Sequence, residues 1–241
     1  MRSGHGLRHR SSKLEFMDDF TEGGEELREA LRHLRRLNAI FGASGPALYG
    51  VKRLWQSAGK PDKLTILDVG SGSGDINRRI LKWADRQCIR VSVVLADVTE
   101  EARAEAERLF RDDPRVLFVK QDWIRLRNFE ADIVTASQFA HHFPTEQLPS
   151  MMEKMLDASR IGVVLNDIHR HWLPWAAVWI ATRFISRNRY IRHDGPLSVA
   201  KGFRNADLRN LAGRLGIANI IISWRPLFRY AVVVPKQREA E

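Results

Sequence analysis

Residues 64–78 read LTILDVGSGSGDINR. An apolar run of β type, Leu64 to Val69, carries one carboxylate, Asp68, and breaks into Gly70-Ser71-Gly72-Ser73-Gly74. Polar Asp75 and Asn77 follow, and then the helix-compatible stretch Arg78–Trp83. The pattern predicts a strand that turns through glycines into a helix. Such a turn leaves a small concave site where unpaired backbone N–H groups and the positive end of the helix dipole can meet a ligand. Glycine is needed there because a side chain would block close approach and many positive-φ turns.

Outward from this turn the pattern is regular. Leu64–Val69 is the first strand and Asn77–Gln87 a helix. Ile89–Ala96 is a second strand that ends at Asp97, and Thr99 suits the N-cap of a charged helix over Glu100–Arg111. Val116–Val119 is a third strand, ending near Asp122-Trp123. Asp132–Ala136 is a fourth, ending at Ser137-Gln138. Thr145 is expected to cap a helix to about Ala158, and Ile161–Leu165 is a fifth strand, ending at Asn166-Asp167. Strands alternating with helices imply right-handed crossovers and a parallel sheet covered on both faces. Ligands of such sheets bind beyond the carboxyl ends of the strands. The glycine turn, Asp97, Asp122, Ser137 and Asp167 all lie at those ends.

The flanks read differently. Glu25–Ile40 is an amphipathic helix with Leu27, Leu31, Leu34 and Leu37 at helical spacing. Gly42, Gly45 and Pro46 are expected to close it before a second short helix, Ala47–Ser57. This pair is expected to cover a sheet edge rather than a ligand site. After the fifth strand, His169–Asn188 is helix-like and holds Trp172, Trp175, Trp179 and Phe184. The arginine-rich stretch Arg187–Arg192 and His193-Asp194-Gly195-Pro196 read as loop. Asn205–Leu215 is a helix stopped by Gly216, and Ile217–Trp224 with Leu227–Val234 form a hairpin turned at Arg225-Pro226. The expected division is a flexible basic tail over 1–13, an N-terminal helical cap over 14–60, and one domain over 61–241 with an insertion or lid at about 170–204.

Composition agrees with one decorated α/β domain. The chain has 241 residues, 44% of them hydrophobic and 28% charged. One cysteine, Cys88, excludes an internal disulfide framework and a cysteine-clustered zinc site, and points to a reducing, cytoplasmic compartment. Met1–Lys13 is basic without an apolar core, so it does not read as a signal peptide. The longest apolar stretch, Trp172–Ala181, contains Pro174 and is about half of what spans a bilayer. The net charge of +10 suits nucleic acid, an anionic membrane or acidic substrates. It is dispersed, however, over Arg2, Arg8 and Arg10, then Arg32, Arg35 and Arg36, then 183–192, and forms no compact block interleaved with aromatics.

Taken together, these residues resemble a class I S-adenosylmethionine-dependent methyltransferase of the small-molecule type. Ile66-Leu67-Asp68-Val69-Gly70-Ser71-Gly72-Ser73-Gly74 matches that family's hhhDhGxGxG pattern, whereas the dinucleotide fingerprint GxGxxG would need glycine at position 75. The resemblance implies a Rossmann-like three-layer sandwich with a seven-stranded, mostly parallel sheet whose last strand is antiparallel. It also implies S-adenosyl-L-methionine as cofactor, with S-adenosyl-L-homocysteine as product. Asp68, Gly70, Ser71, Gly72 and Gly74 would lie against the methionine part. Asp97 would take the ribose hydroxyls, with Val98 next to it also in the cofactor site, and Asp122 with Trp123 the adenine. Ser137 opens the segment Ser137–His142, the floor near the sulfonium. A carboxylate accepting two hydroxyls is a charge-assisted, bidentate contact.

Methyl transfer by in-line displacement asks the protein chiefly for positioning. A base is needed only where the nucleophile must lose a proton. In Ala140-His141-His142-Phe143-Pro144, His141 stands by position where related O-methyltransferases carry a histidine base, and His142 adjoins it. An unperturbed imidazole titrates at about 6.5, which suits a phenolic or acid-like hydroxyl. Asp167 with His169 is a second candidate set, and His193-Asp194 a third, read as a loop ion pair or turn. Asn166 with Asp167 supplies only a fragment of a metal site, so no metal is expected. The aromatic insertion Trp172–Phe203 is expected to choose the acceptor, a hydrophobic or aromatic small molecule of secondary metabolism, with O-methylation the leading chemistry. Its arginines also allow contact with an anionic membrane or an acyl-carrier partner. The alternatives are an RNA or protein methyltransferase using the basic surface, and a non-catalytic cofactor-binding subunit. The strand-four end lacks the Asn/Asp-Pro-Pro-aromatic signature of nucleic-acid amino-methylating enzymes.

Overall fold

The computed structural model describes residues 7–20, 23–125 and 130–236; Met1–Gly6 of the expected tail lie outside the described residues. After a short 3-10 turn at Phe16–Asp18 come α1 (Glu25–Ile40) and α2 (Ser44–Ser57). The sheet and its crossovers follow: β1 (Lys63–Val69), α3 (Asn77–Arg86), β2 (Arg90–Asp97), α4 (Glu100–Leu109), β3 (Val116–Lys120), β4 (Ala131–Ser137), α5 (Leu148–Asp157) and β5 (Ser159–Ile168). The chain then forms α6 (Trp172–Ile185), α7 (Arg189–Lys201), α8 (Asn205–Leu215), β6 (Ile221–Arg225) and β7 (Arg229–Pro235).

The sheet order is β3-β2-β1-β4-β5-β7-β6. β1 to β5 are parallel, and β7 enters antiparallel between β5 and β6. Alternation along the strands divides the core. Leu67, Val69, Val134, Ala136, Val163 and Leu165 face one cluster with Met152, Met155 and Leu211. Ile66, Val93, Leu95, Ile133 and Val164 face another with Val51, Leu54 and Ile80. Strands buried on both faces read as continuous apolar runs, as here. Order reverses between β1 and β4, so the crevice above their ends is where this fold presents a ligand site.

Several sequence expectations need correction. Gly45 and Pro46 do not close α1 but occupy the first turn of α2, where proline's missing N–H costs nothing. Thr145 does not cap α5: that helix begins at Leu148 after Gln147 with Pro149 in its first turn, and the Thr145 hydroxyl instead accepts from Arg10. The stretch 189–196 is not loop but the start of α7, nucleated by the Asn188 side chain accepting from the Tyr190 N–H and carrying Pro196 within the helix. From Leu7 onward the tail is not loose. Arg10 donates to the carbonyls of His141, Phe143 and Lys201, and its guanidinium lies 4.5 Å over the Phe203 ring. Thr99 caps α4 through Ala102 N–H, and Gly216 stops α8 in the left-handed conformation, both as expected.

Candidate active site

A cavity of about 490 Å³ opens above the ends of β1, β2 and β4. At one end it is built by the glycine turn. Gly70 adopts φ +59°, and a Cβ there would stand 2.1 Å from the Phe139 ring, so no other residue fits. Gly72, also at positive φ, would aim a Cβ toward open space, with Leu31 the nearest group at 3.8 Å. Behind the turn Asp68 is buried, accepting from Asn77 Nδ2 at 2.6 Å and from its cross-strand neighbour Thr135 Oγ1 at 2.7 Å. Burial pushes the Asp68 carboxyl up to about 6, against the pull of those two hydrogen bonds.

Asp97 lines the cavity at the end of β2. Its Oδ2 accepts from Gly72 N–H at 2.9 Å, and its Oδ1 accepts from the Thr99 N–H and hydroxyl. With about four acceptor positions per carboxylate, three are taken, so a grip on two hydroxyls requires one of these contacts to yield. Val98, Asp122 and Trp123 complete this wall, and Trp123 meets Phe139 edge-on at 6.5 Å. Ser71 contributes a buried hydroxyl without a protein partner.

The other end is apolar and comes from the N-terminal segment. Met17, Phe20, Leu27, Leu31 and Leu34 face Phe139 and Phe143 across the cavity. The apolar stripe of α1 thus caps the site rather than covering a sheet edge, while α2 packs on β5 and β7.

The two histidines part company. His142 lines the cavity, with Nδ1 2.6 Å from Asp18 Oδ1. His141 is not among the lining residues. It is buried, its backbone and Nδ1 both bonded to Asp167 (ring contact 2.7 Å) and its Nε2 3.6 Å from Glu15. Burial opposes charge on His141, but Asp167 and Glu15 outweigh it and raise the imidazole to about 9. Lys201 Nζ, itself buried, lies 3.1 Å from Asp18 and 3.5 Å from Glu15. Burial works against charge on Asp18 and Glu15, yet the histidines and Lys201 hold both carboxyls below the usual range. Glu15, His141 and His142 present atoms within 4.8 Å of one another, as a metal would require. Lys201 already supplies the balancing cation, so the cluster reads as an ion network that straps residues 15–18 to the domain.

Of the residues the sequence marked, Asp68, Gly70, Ser71, Gly72, Asp97, Val98, Asp122, Trp123, Ser137 and His142 come together in the cavity wall. Gly74 lies beneath, against Leu95 and Phe110. The aromatic insertion does not reach the wall. Tyr190 and Phe203 are core, whereas Trp172, Trp179 and Phe184 point outward. His193 pairs with Asp194 at 2.7 Å, on a helix rather than a loop, and Asp194 accepts from the Phe16 and Met17 N–H groups. Sequence reasoning missed Asp18, Asn38, Asp75 and Gln138. Asp75 accepts from Asn38 and Ser73, and Gln138, held at φ +53°, donates to Asn38. The one sequence signal for Asp18 was the acidic stretch Glu15 to Glu26, which lies between basic segments.

One electrostatic feature stands out against a chain of net charge +10. Among the described residues, those that line the cavity include Asp18, Asp68, Asp75, Asp97 and Asp122, with no lysine or arginine. The strand order, inserted antiparallel strand and glycine turn are those of the class I S-adenosylmethionine-dependent methyltransferase fold. Residues 66–162 match the family described as a methyltransferase domain. Among solved structures, human N-acetylserotonin methyltransferase in complex with its methyl donor is similar at a TM-score of 0.60 and 14% identity, over 95% of this chain and 64% of that one. The plantazolicin methyltransferase BpumL, in complex with S-adenosylhomocysteine, is similar at 0.53 and 16%, over 82% and 70%. An O-methyltransferase-like protein of Nostoc punctiforme gives 0.52 and 14%, over 72% of this chain and 51% of that one, so the present chain spans about half of its length. No curated protein matched the sequence. These likenesses share the fold.

Proposed function

We propose that this chain methylates a hydroxyl of a hydrophobic or aromatic small molecule, with S-adenosylmethionine as donor. The observation that carries the reading is the acidic cavity wall. A donor with a sulfonium and an ammonium group suits five aspartates, whereas a dinucleotide brings a pyrophosphate that would face them with no lysine or arginine among the described lining residues. The open space at Gly72, the unpartnered Ser71 hydroxyl and the carboxylates Asp97 and Asp122 fit such a donor's polar groups.

When bound, the donor supplies an electrophilic methyl whose carbon–sulfur bond breaks, the electron pair returning to sulfur, as the new carbon–oxygen bond forms. The chain's own residues do the rest. Met17, Phe20, Leu27, Leu31, Leu34 and Phe143 bury an apolar acceptor and exclude water beside the methyl. His142 takes the acceptor's hydroxyl proton, and Asp18 holds the ring and balances the imidazolium. His141 is a positioning residue: it anchors Glu15, and with it the Met17–Phe20 wall.

Calorimetry with S-adenosylmethionine, S-adenosylhomocysteine and NADH tests this. Binding of the first two and not of NADH is expected. Asp97→Ala is expected to weaken binding by about 10- to 100-fold, the worth of a hydrogen bond to a charged group. Binding of NADH alone would sink the reading.

A further inference from the structure

Helix α6 is apolar on both its inner and outer sides, Thr182 and Arg183 excepted. Its inner residues Ala181 and Ile185 pack against the cluster of Leu27, Leu37 and Tyr190. Its outer residues Trp172, Leu173, Trp179, Ile180 and Phe184 are exposed, Phe184 to 87%. At 100° per residue those five fall within one arc of roughly 140°. The band continues past the start of the helix. His171 stacks on Phe228 at 5.7 Å, Trp224 meets Phe228 edge-on at 6.1 Å, and Trp224 and Leu227 are half exposed at the turn between β6 and β7. The end of α1 abuts this turn, since a Cβ on Gly42 would stand 2.9 Å from Leu227, and Ile40 there is exposed as well. An apolar helix is normally enclosed by protein or lipid. This one is enclosed on one side only.

The charge beside the band selects what covers the other side. From His169 to His193 the sequence contains five arginines and no aspartate or glutamate; Arg170 is buried against Asp207 and Arg189 pairs with Glu26, which leaves Arg183, Arg187 and Arg192 beside the band. Arg183 sits on the exposed face, its guanidinium 3.7 Å over the Trp179 ring. Tryptophan and arginine side by side, apolar body inward and polar tip outward, suit the headgroup level of a bilayer. At 14 residues, α6 is about 21 Å long, short of the roughly 30 Å hydrocarbon core. No helix among the described residues is long and apolar enough to cross a membrane. A helix of this kind lies in the interface plane.

We propose that the outer face of α6, with the turn between β6 and β7, docks on an anionic lipid bilayer. Behind the docked face runs an apolar crevice lined by Leu37, Phe41, Pro174, Val178, Leu227 and Phe228, which shares Leu34, Asn38 and Gln138 with the cavity wall. The surface therefore adjoins the apolar end of the site, and an acceptor dissolved in the bilayer would meet that end first. This last step rests on the methyl-transfer reading; the docking does not.

Flotation of the full chain with phosphatidylcholine vesicles, with and without phosphatidylglycerol, tests the docking. Binding to the anionic vesicles is expected to be about tenfold or more tighter, and to weaken in high salt. The double substitution Ile180→Ser with Phe184→Ser removes two exposed side chains without touching the core, and is expected to cost about another tenfold. Absence of flotation with either vesicle at low salt would overturn the proposal, as would a double variant that floats like the wild type. A wild-type dimer that the double substitution renders monomeric, with no lipid binding, would assign the face to a second copy instead. Donor calorimetry on the same preparation reads the methyl-transfer proposal separately, so the two can fail independently.

Discussion

The two ends of the cavity are built on different principles. The donor end is made of strand termini: Gly70–Gly74 follows β1 where the sheet's order reverses, while Asp97 ends β2 and Asp122 follows β3 beside it, all positioned by the hydrogen bonds that make the sheet. The acceptor end is made of a segment that precedes the sheet. Met17, Asp18 and Phe20 are strapped down by Glu15 and Asp18 on His141, His142 and Lys201, and by Asp194 on two backbone N–H groups. A sheet-borne site is as rigid as the core beneath it. A strapped site is as rigid as its ion pairs, which makes this end adjustable by charge. On this view His142 belongs to the second end alone. His142→Gln should lower kcat by about 10²- to 10⁴-fold, the usual worth of a positioned base, while leaving the donor's Kd unchanged. Initial rates and calorimetry on one preparation check both halves. A donor Kd that rose as kcat fell would break the division between the ends.

The strap also makes a pH prediction that the donor end does not share. His141 is raised to about 9 from its ordinary 6.5 by Asp167 and Glu15, in spite of burial. A group whose folded pKa is raised lends stability that is complete below the unfolded value and fades as pH rises through the folded one. The contribution, roughly 3 kcal/mol for a shift of this size, is therefore expected to be present at pH 6 and lost between pH 7 and 10. The groups facing His141 are Asp167, Glu15 and, stacked at 4.4 Å, His142, with Lys201 beyond Glu15. Urea unfolding at stepped pH should show the loss, and His141→Gln should flatten it. Amide exchange should quicken first over residues 15–20, not over 70–74. Early exchange at the glycine turn instead would show that the strap and the sheet do not respond separately.

The same contrast explains what could be read in the sequence. The donor end was legible because continuous apolar runs, glycine spacing and strand-terminal carboxylates are local signals, and a parallel sheet follows from the alternation of strands and helices. Even the departures there are small: β5 runs to Ile168 rather than stopping at Leu165. The acceptor end depends on contacts between residues more than a hundred positions apart, such as Glu15 with His141 and Asp18 with Lys201. No local pattern encodes them. The tryptophans of α6 misled for a related reason. Aromatic residues at helical spacing mark an apolar face, but the sequence does not say whether that face looks inward to a cavity or outward to solvent. Likewise the sequence put His141 forward as the base by its position, with His142 beside it. Only the placement of Asp167 beneath one and Asp18 beside the other separates the buried ring from the one that lines the cavity.

The smallest expected effect probes the donor end with charge, the lever to which the acceptor end responds. Asp68 is pushed up to about 6 by burial, so folding disfavours its charged form and stability declines as pH rises from about 4 through 6, then levels. Asn77 Oδ1 is buried without a partner, so the Asn77 amide can turn and accept from an asparagine placed at 68, while Thr135 donates to that asparagine's oxygen. Asp68→Asn is therefore expected to abolish the decline and to be more stable than the wild type at pH 8 by about 1 kcal/mol, the charge-burial cost less the weaker neutral hydrogen bonds. Asp68→Ala, which strands both donors, is expected to cost about 2–4 kcal/mol at any pH. Urea midpoints for the three proteins at pH 5 and pH 8 decide the matter. An asparagine variant that is weaker at pH 8 would mean that the charge itself supports the glycine turn, and the donor end would then depend on ionisation as much as the strap does.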